Sequence, residues 1–266
     1  MSTGGAGESG GQRGCYVIEY RTRFKRHLEL WFDAPEPPGR FDVIVRHRAP
    51  NPTPNAKTTD FYTLQVDLTR DAEDLFKGLA RNTRAQIRKS TEVDAFTFEF
   101  LDKPTSAEVD EFSAFYDVFA ASKELPLSYR PRLQAQREAG CLLLARVTSE
   151  DVAITWHANI AYGPQIGMMF SASHFRAQGD PEARKMIGRA NRRLHWEEFQ
   201  HYKALGYRLY DFGGWYEGTE DKQKVLINQF KEEFGGTKVH AFASEENRTL
   251  LAKAIAFGNH LRTSSE

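Results

Sequence analysis

Apolar positions along the chain follow two rhythms. A period of two marks Cys15–Tyr20, His27–Phe32, Phe41–His47 and Phe61–Leu68 as strands. In the last of these Phe61, Thr63, Gln65 and Asp67 alternate with Tyr62, Leu64, Val66 and Leu68, as in a strand with one buried face. Pro35 to Gly39 makes a turn between the second and third strands, and the Pro/Asn-rich Ala49 to Lys57 a loop. From Asp71 the spacing lengthens. Leu75, Leu79, Thr83 and Ile87 recur at steps of four, which predicts one helix over 71–91.

Phe96, Phe98 and Phe100 return to strand spacing. Thr105-Ser106-Ala107-Glu108 has the form of a capping box, opening a helix whose core stripe is Val109, Phe112, Tyr116 and Phe119. Pro131 opens a short helix that Gly140 ends. Three strands follow, Cys141–Val147, Val152–Tyr162 and Gln165–Ser173, with turns at Ser149–Asp151 and Gly163-Pro164. A long amphipathic run with Leu194, Trp196, Phe199, Tyr202 and Leu205 apolar reaches a stop at Gly206. The strand Tyr207–Phe212 is expected to break at Gly213-Gly214. Next comes a helix with Val225, Leu226, Gln229, Phe230 and Phe234 on or near one face, then Gly235-Gly236 and the strand Thr237–Ala243. A closing helix, about 247–262 with Leu250, Leu251, Ile255 and Leu261 apolar, is expected to pack on the N-terminal strands.

Composition narrows the function. With 266 residues, 40% apolar and 27% charged, the chain can bury a sizeable core, and its formal net charge of zero argues against a surface built wholly to hold polyanions. Cys15 and Cys141 lack metal-ligand spacing, Cys141 reads as a buried thiol, and no His/Cys/Asp/Glu cluster in the sequence supports a metal. No apolar run approaches the ~18 residues of a membrane span, and residues 1–14 lack the apolar core of a secretory signal. A cytoplasmic protein with a Gly/Ser-rich tail is the expectation.

Two motifs carry a resemblance. Tyr210-Asp211-Phe212-Gly213-Gly214, followed by Phe230-Lys231-Glu232-Glu233-Phe234-Gly235-Gly236, resembles the Fem family of aminoacyl transferases (FemA, FemB, FemX) and, more broadly, the GNAT-like acyltransferases. Leu79–Lys89 is similar to the basic helix that leads into the family's catalytic domain. The element order from Phe96 onward, βααβββαβαβ, is the GNAT order, reached without the motifs. Asp211-Phe212-Gly213 is also a protein-kinase tripeptide, but the glycine-rich loop, strand lysine and His-Arg-Asp segment of kinases are missing. The expected fold is therefore α/β (α+β): a GNAT-like acyltransferase domain over 92–246, preceded by a tail (1–14) and a small β-rich N-terminal lobe with the basic helix (15–91), and followed by a C-terminal helix (247–266). The lobe is too small for the second acyltransferase domain of full-length Fem enzymes.

The resemblance implies amide formation with aminoacyl-tRNA as donor, gripped at its acceptor end, an amine-bearing peptidoglycan precursor or peptide as acceptor, and no bound cofactor. Lys231 would stabilise the transition state. Asp211, ending a strand beside the cleft, is a candidate to take the amine's proton or to hold the glycine turn. Phe230, Gly213 and Gly214 flank these groups, and Trp215 and Tyr216 offer an aromatic wall. His157, on a polar strand face with Thr155 and Asn159, is a candidate base, and His174 follows Ser171 and Ser173 at the mouth of the next strand. Tyr129, Arg130 and Arg132 fall where Fem-like enzymes hold acceptor groups. Arg81, Arg84 and Arg88 are candidates for phosphate contacts. An acyl-CoA donor, with an amino sugar or peptide amine as acceptor, is the alternative, and an inactive binding module the third. CoA enzymes open the long helix with a pyrophosphate loop. Here both candidates are poor: Arg176–Pro181 contains Asp180, and Lys185–Ala190 falls within the helical pattern.

Overall fold

A computed structural model describes residues 16–174 and 179–263. Cys15, residues 1–14 and the Arg176–Gln178 part of the first loop candidate lie outside the described residues. The strands are β1 (Val17–Arg21), β2 (Arg26–Trp31), β3 (Val43–Ala49), β4 (Lys57–Asp67), β5 (Phe96–Leu101), β6 (Leu142–Ser149), β7 (Val152–Tyr162), β8 (Gln165–Ser173), β9 (Leu209–Trp215) and β10 (Thr237–Asn247). The helices are α1 (Ala72–Gly78), α2 (Arg81–Val93), α3 (Ser106–Ala121), α4 (Arg130–Glu138), α5 (Pro181–Ala204), α6 (Lys222–Glu232) and α7 (Leu250–Thr263). From β5 to β10 the order is the expected GNAT one.

All ten strands form one sheet, in the order β1-β2-β3-β10-β4-β9-β8-β7-β6-β5. The strands of the N-terminal lobe continue the sheet of the later strands, and β4 is inserted between β9 and β10. Helix α3 covers one face of β7 through Val109, Phe112 and Tyr116, packed with Trp156 and Ala158. Helix α5 covers the other, where Thr155, His157 and Asn159 are fully buried. The capping box is present, with Thr105 and Glu108 bonding reciprocally.

Three expectations are corrected. The helix expected over 71–91 is two helices, α1 and α2, with Leu79 and Ala80 extended between them. The reason is tertiary, since the Ala80 amide donates to the Glu233 carbonyl at the end of α6. Strand β9 does not break at Gly213-Gly214. It runs on to Trp215, pairing Gly214 with Thr63 and Trp215 with Tyr62, and the register shift lies between Thr63 and Gln65. Gly213 has φ +73, and a Cβ there would stand 2.9 Å from the Met168 carbonyl oxygen. Glycine thus serves both a left-handed backbone and a close approach.

The third correction concerns α6. Of its expected stripe Phe234 is buried and Phe230 packs against the core, but Leu226 is exposed, and Asn228 and Lys231, outside the stripe, are buried. Asn228 donates to the Tyr216 carbonyl (2.7 Å) and accepts from the Tyr216 amide (3.2 Å). Lys231 donates to the carbonyls of Gly213 and Gly214. Backbone that must be satisfied outranks the hydrophobic pattern here. Helix α7 follows β10, and Arg248 and Thr249 just before it bond to Asp42 at the edge of β3.

Candidate active site

Strands β8 and β9 run parallel but pair over three residues only, Gln165–Gly167 with Leu209–Asp211. Beyond them β8 stays paired with β7 alone and β9 with β4 alone. This parting of parallel strands opens the crevice at which open α/β sheets hold ligands. A cavity of about 410 Å³ opens past the end of β8, at Ser173 and His174. Its walls include Phe119 from α3, Lys123 just after that helix, His174 after β8, Asn191 and Arg192 from α5, and Phe230 from α6. Of the sequence candidates, His174 and Phe230 line it. The His174 ring stacks on Phe115 at 4.0 Å, and burial holds its pKa below the usual histidine value.

Lys231 follows Phe230 and is 9% exposed. Burial is the largest influence on its amine and the field of Asp211 opposes it, leaving the pKa lowered to about 8. An ammonium carries three donors. Two face the carbonyls of Gly213 and Gly214.

Asp211, fully buried, is surrounded by donors. Its Oδ1 accepts from Arg48 Nη2 (3.0 Å), Thr63 Oγ1 (2.5 Å) and the Gly213 amide (2.7 Å), and its Oδ2 from Gln65 Nε2 (3.1 Å). The carboxylate clamps the glycine bulge to β4 and neutralises Arg48, so the geometry gives it the structural half of its two expected roles. Arg48 was not legible in sequence. It adopts φ +55, and its guanidinium lies over Phe61 and Tyr162. Its Nε is buried without a hydrogen-bond partner among the described residues, and Arg48 lines a second, small cavity of about 90 Å³ bounded also by Arg132 and Met168.

Trp215 and Tyr216 continue β9, tied to α6 through Asn228. Tyr129, Arg130 and Arg132 stand elsewhere, at the start of α4 beside the N-terminal lobe. Arg132 grips the buried Glu29, Tyr129 packs on Tyr20, and Arg130 lies 3.8 Å from Asp110. On α2, Arg84 donates to the carbonyls of Lys77 and Leu79 and Arg88 lies over Phe76, while Arg81 is exposed. Two of these three arginines therefore have packing or capping roles.

His157 is fully buried beneath the cavity. Its Nδ1 lies 2.9 Å from Glu198 and its Nε2 2.9 Å from Asn191. Glu198 also accepts from Asn159 (2.7 Å) and Tyr210 (2.8 Å). His195 joins through Tyr210 (3.2 Å), and burial, then the fields of His157, Arg192 and Lys231, holds its pKa well below the usual range. The fold thus assembles a cluster that sequence spacing did not show, with ligand-type atoms of His157, His195 and Glu198 within 4.8 Å of one another. Hydrogen bonds already engage the Glu198 carboxylate from three sides. Among the described residues no helix is long and apolar enough to cross a membrane.

No family model and no curated protein matches the chain. Solved structures do. FemX matches at 12% identity and a TM-score of 0.55, over 69% of this chain and 61% of that one, so this chain spans less than two thirds of the FemX chain. The C-terminal domain of a lysylphosphatidylglycerol synthetase candidate from Agrobacterium fabrum matches at 12% identity and 0.53, over 92% of this chain and 88% of that one. L-PGS from Bacillus licheniformis matches at 15% identity and 0.50, over 93% and 92%. At such identities the likeness is one of fold, and the fold of this chain is the Fem-like, GNAT-like fold of acyl and aminoacyl transferases.

Proposed function

We propose that the chain is an N-acyltransferase that moves an aminoacyl group from aminoacyl-tRNA to an amine. The observation that carries this reading is the buried Lys231 amine, held on the Gly213 and Gly214 carbonyls where β8 and β9 part. In such a reaction the acceptor amine attacks the ester carbonyl carbon. A C–N bond forms, the C–O bond to the ribose breaks, and the proton lost by the amine ends on the departing ribose oxygen. The third Lys231 donor would meet the negative charge that develops on the carbonyl oxygen.

Helix α5 favours this donor over CoA. Its first amides, those of Glu182 and Ala183, are taken by the Asp180 carboxylate at 3.0 and 3.2 Å, where a pyrophosphate would otherwise dock. The second loop candidate, Lys185–Ala190, lies inside α5.

The test is acyl transfer by purified protein from charged tRNA or acetyl-CoA to a peptide amine. Phosphatidylglycerol serves as a second acceptor, because a neighbour that matches most of this chain bears a lysylphosphatidylglycerol synthetase name; it offers a hydroxyl, so transfer to it alone would form an ester and overturn the amine as acceptor. Ribonuclease should abolish transfer, and Lys231→Met should lower turnover by ~100-fold or more while leaving donor affinity in place. Transfer from acetyl-CoA that survives ribonuclease would move the donor to CoA. Near-normal turnover of Lys231→Met would remove Lys231 from the mechanism.

A further inference from the structure

Asn191 is where the buried polar cluster meets the cleft. It lines the 410 Å³ cavity, one turn of α5 before His195 and two before Glu198. One end of its planar amide is committed, since Oδ1 lies 2.9 Å from His157 Nε2. His157 is itself fixed, with Nδ1 2.9 Å from Glu198. Glu198 is fully buried and held by Asn159 and Tyr210. Three side chains thus form a rigid line from the middle of the domain to the cavity wall. With its Oδ1 turned to His157, the planar amide has one end left. The end of Asn191 left for the cavity is then its NH2 group.

From this geometry we infer that Asn191 is a ligand-contacting residue of the cleft, donating its amide N–H to the carbonyl oxygen of the acyl group carried there, with His157 and Glu198 as positioning residues that hold the amide in that sense. This rests on the acyl-transfer reading above. It revises the role expected for His157, which is screened from the cavity and acts through Asn191. A donor locked by two buried partners needs no reorganisation when charge grows on the carbonyl oxygen, and that makes it effective. The cavity's neighbouring cations cannot replace it in kind: Arg192 is drawn to Glu233 at 2.9 Å, and Lys123 packs over Phe119.

Two variants separate contact from support. Asn191→Asp keeps the size and an oxygen for His157 but removes the N–H. His157→Gln keeps one donor toward Asn191 and loses the tie to Glu198. Steady-state kinetics of both, and of the double variant, should be measured with charged tRNA as the varied substrate. Binding of alanine-bearing 3′-amino-adenosine, an amide analogue of the donor's end, and of acetyl-CoA should be followed by calorimetry. Asn191→Asp should lower kcat/KM for the donor by about 10- to 100-fold with the acceptor KM unchanged. His157→Gln should lose less, and in the Asn191→Asp background it should add little, because its effect passes through Asn191. Should the two losses simply multiply, His157 is only a fold-stabilising residue and the positioning chain is refuted. Normal kinetics for Asn191→Asp beside an active wild type would overturn this inference alone. A wild type that binds neither analogue and transfers nothing would take the functional reading down with it.

Discussion

Lys231 is a buried amine that the fold holds at a cost, and the cost can be measured. Its pKa falls from 10.5 to about 8, and the largest cause is removal of the ammonium from water. A difference of about 2.5 pH units, at ~1.4 kcal/mol per unit, is a penalty of roughly 3 kcal/mol at neutral pH. The sign follows from proton binding. Between pH 8 and 10.5 the unfolded chain keeps this proton while the folded chain has lost it, so stability rises with pH across that window. Lys231→Met removes the penalty and also the charge-assisted bond to the Gly214 carbonyl, worth about 1.5–3 kcal/mol. The two nearly cancel. The Met variant should therefore match or slightly exceed the wild type in stability at pH 7, despite its loss of turnover. By pH 10 the wild type should gain roughly 2–3 kcal/mol on the variant. Urea unfolding of both proteins at pH 7, 8, 9 and 10 measures this, because other groups titrate alike in the two. A stability gap that does not change with pH, or a Met variant weaker by more than ~2 kcal/mol at pH 7, would refute the picture of an amine kept against its own solvation.

Removing the Asp211 charge with Asn should destabilise by about 3–5 kcal/mol in urea, because Arg48 would be left buried without its counter-ion. Adding Arg48→Met should cost less than the sum of the single changes. Gly213→Ala should destabilise by ~1–3 kcal/mol, through φ +73 and the Met168 carbonyl. Gly214→Ala, whose Cβ would find only the Phe61 ring at 3.9 Å, should be tolerated in the same thermal melts. Glu29, between Arg132 and His47, has its pKa lowered to about 2 by those partners, against the opposing effect of its burial. Its stabilisation is present above pH 4.5 and is lost as pH falls toward 2, so Glu29→Gln should flatten the acid-unfolding curve over that range.

The sequence by itself determined the elements from β5 onward and their order. Alternation in β7 and β8, the capping box at Thr105 and the glycine stops are local, and local spacing carries them whatever the rest of the chain does. It also marked Asp211, Gly213, Gly214 and Lys231 as one unit through their two motifs, and the fold brings these four together. Tertiary structure decided the rest. Strand β4 enters between β9 and β10, so Thr63 and Gln65 reach Asp211 across about 146 residues or more of chain, and no periodicity records that pairing. Helix α6 presents Asn228 and Lys231 inward because the carbonyls of the β9 bulge need donors, a demand invisible in the helix's own pattern. His157 looked like a cleft base from its polar strand face. Only the packing of α5 shows that the same face is sealed by Glu198 and meets the cavity through Asn191, because which atoms a polar face touches depends on the element that covers it.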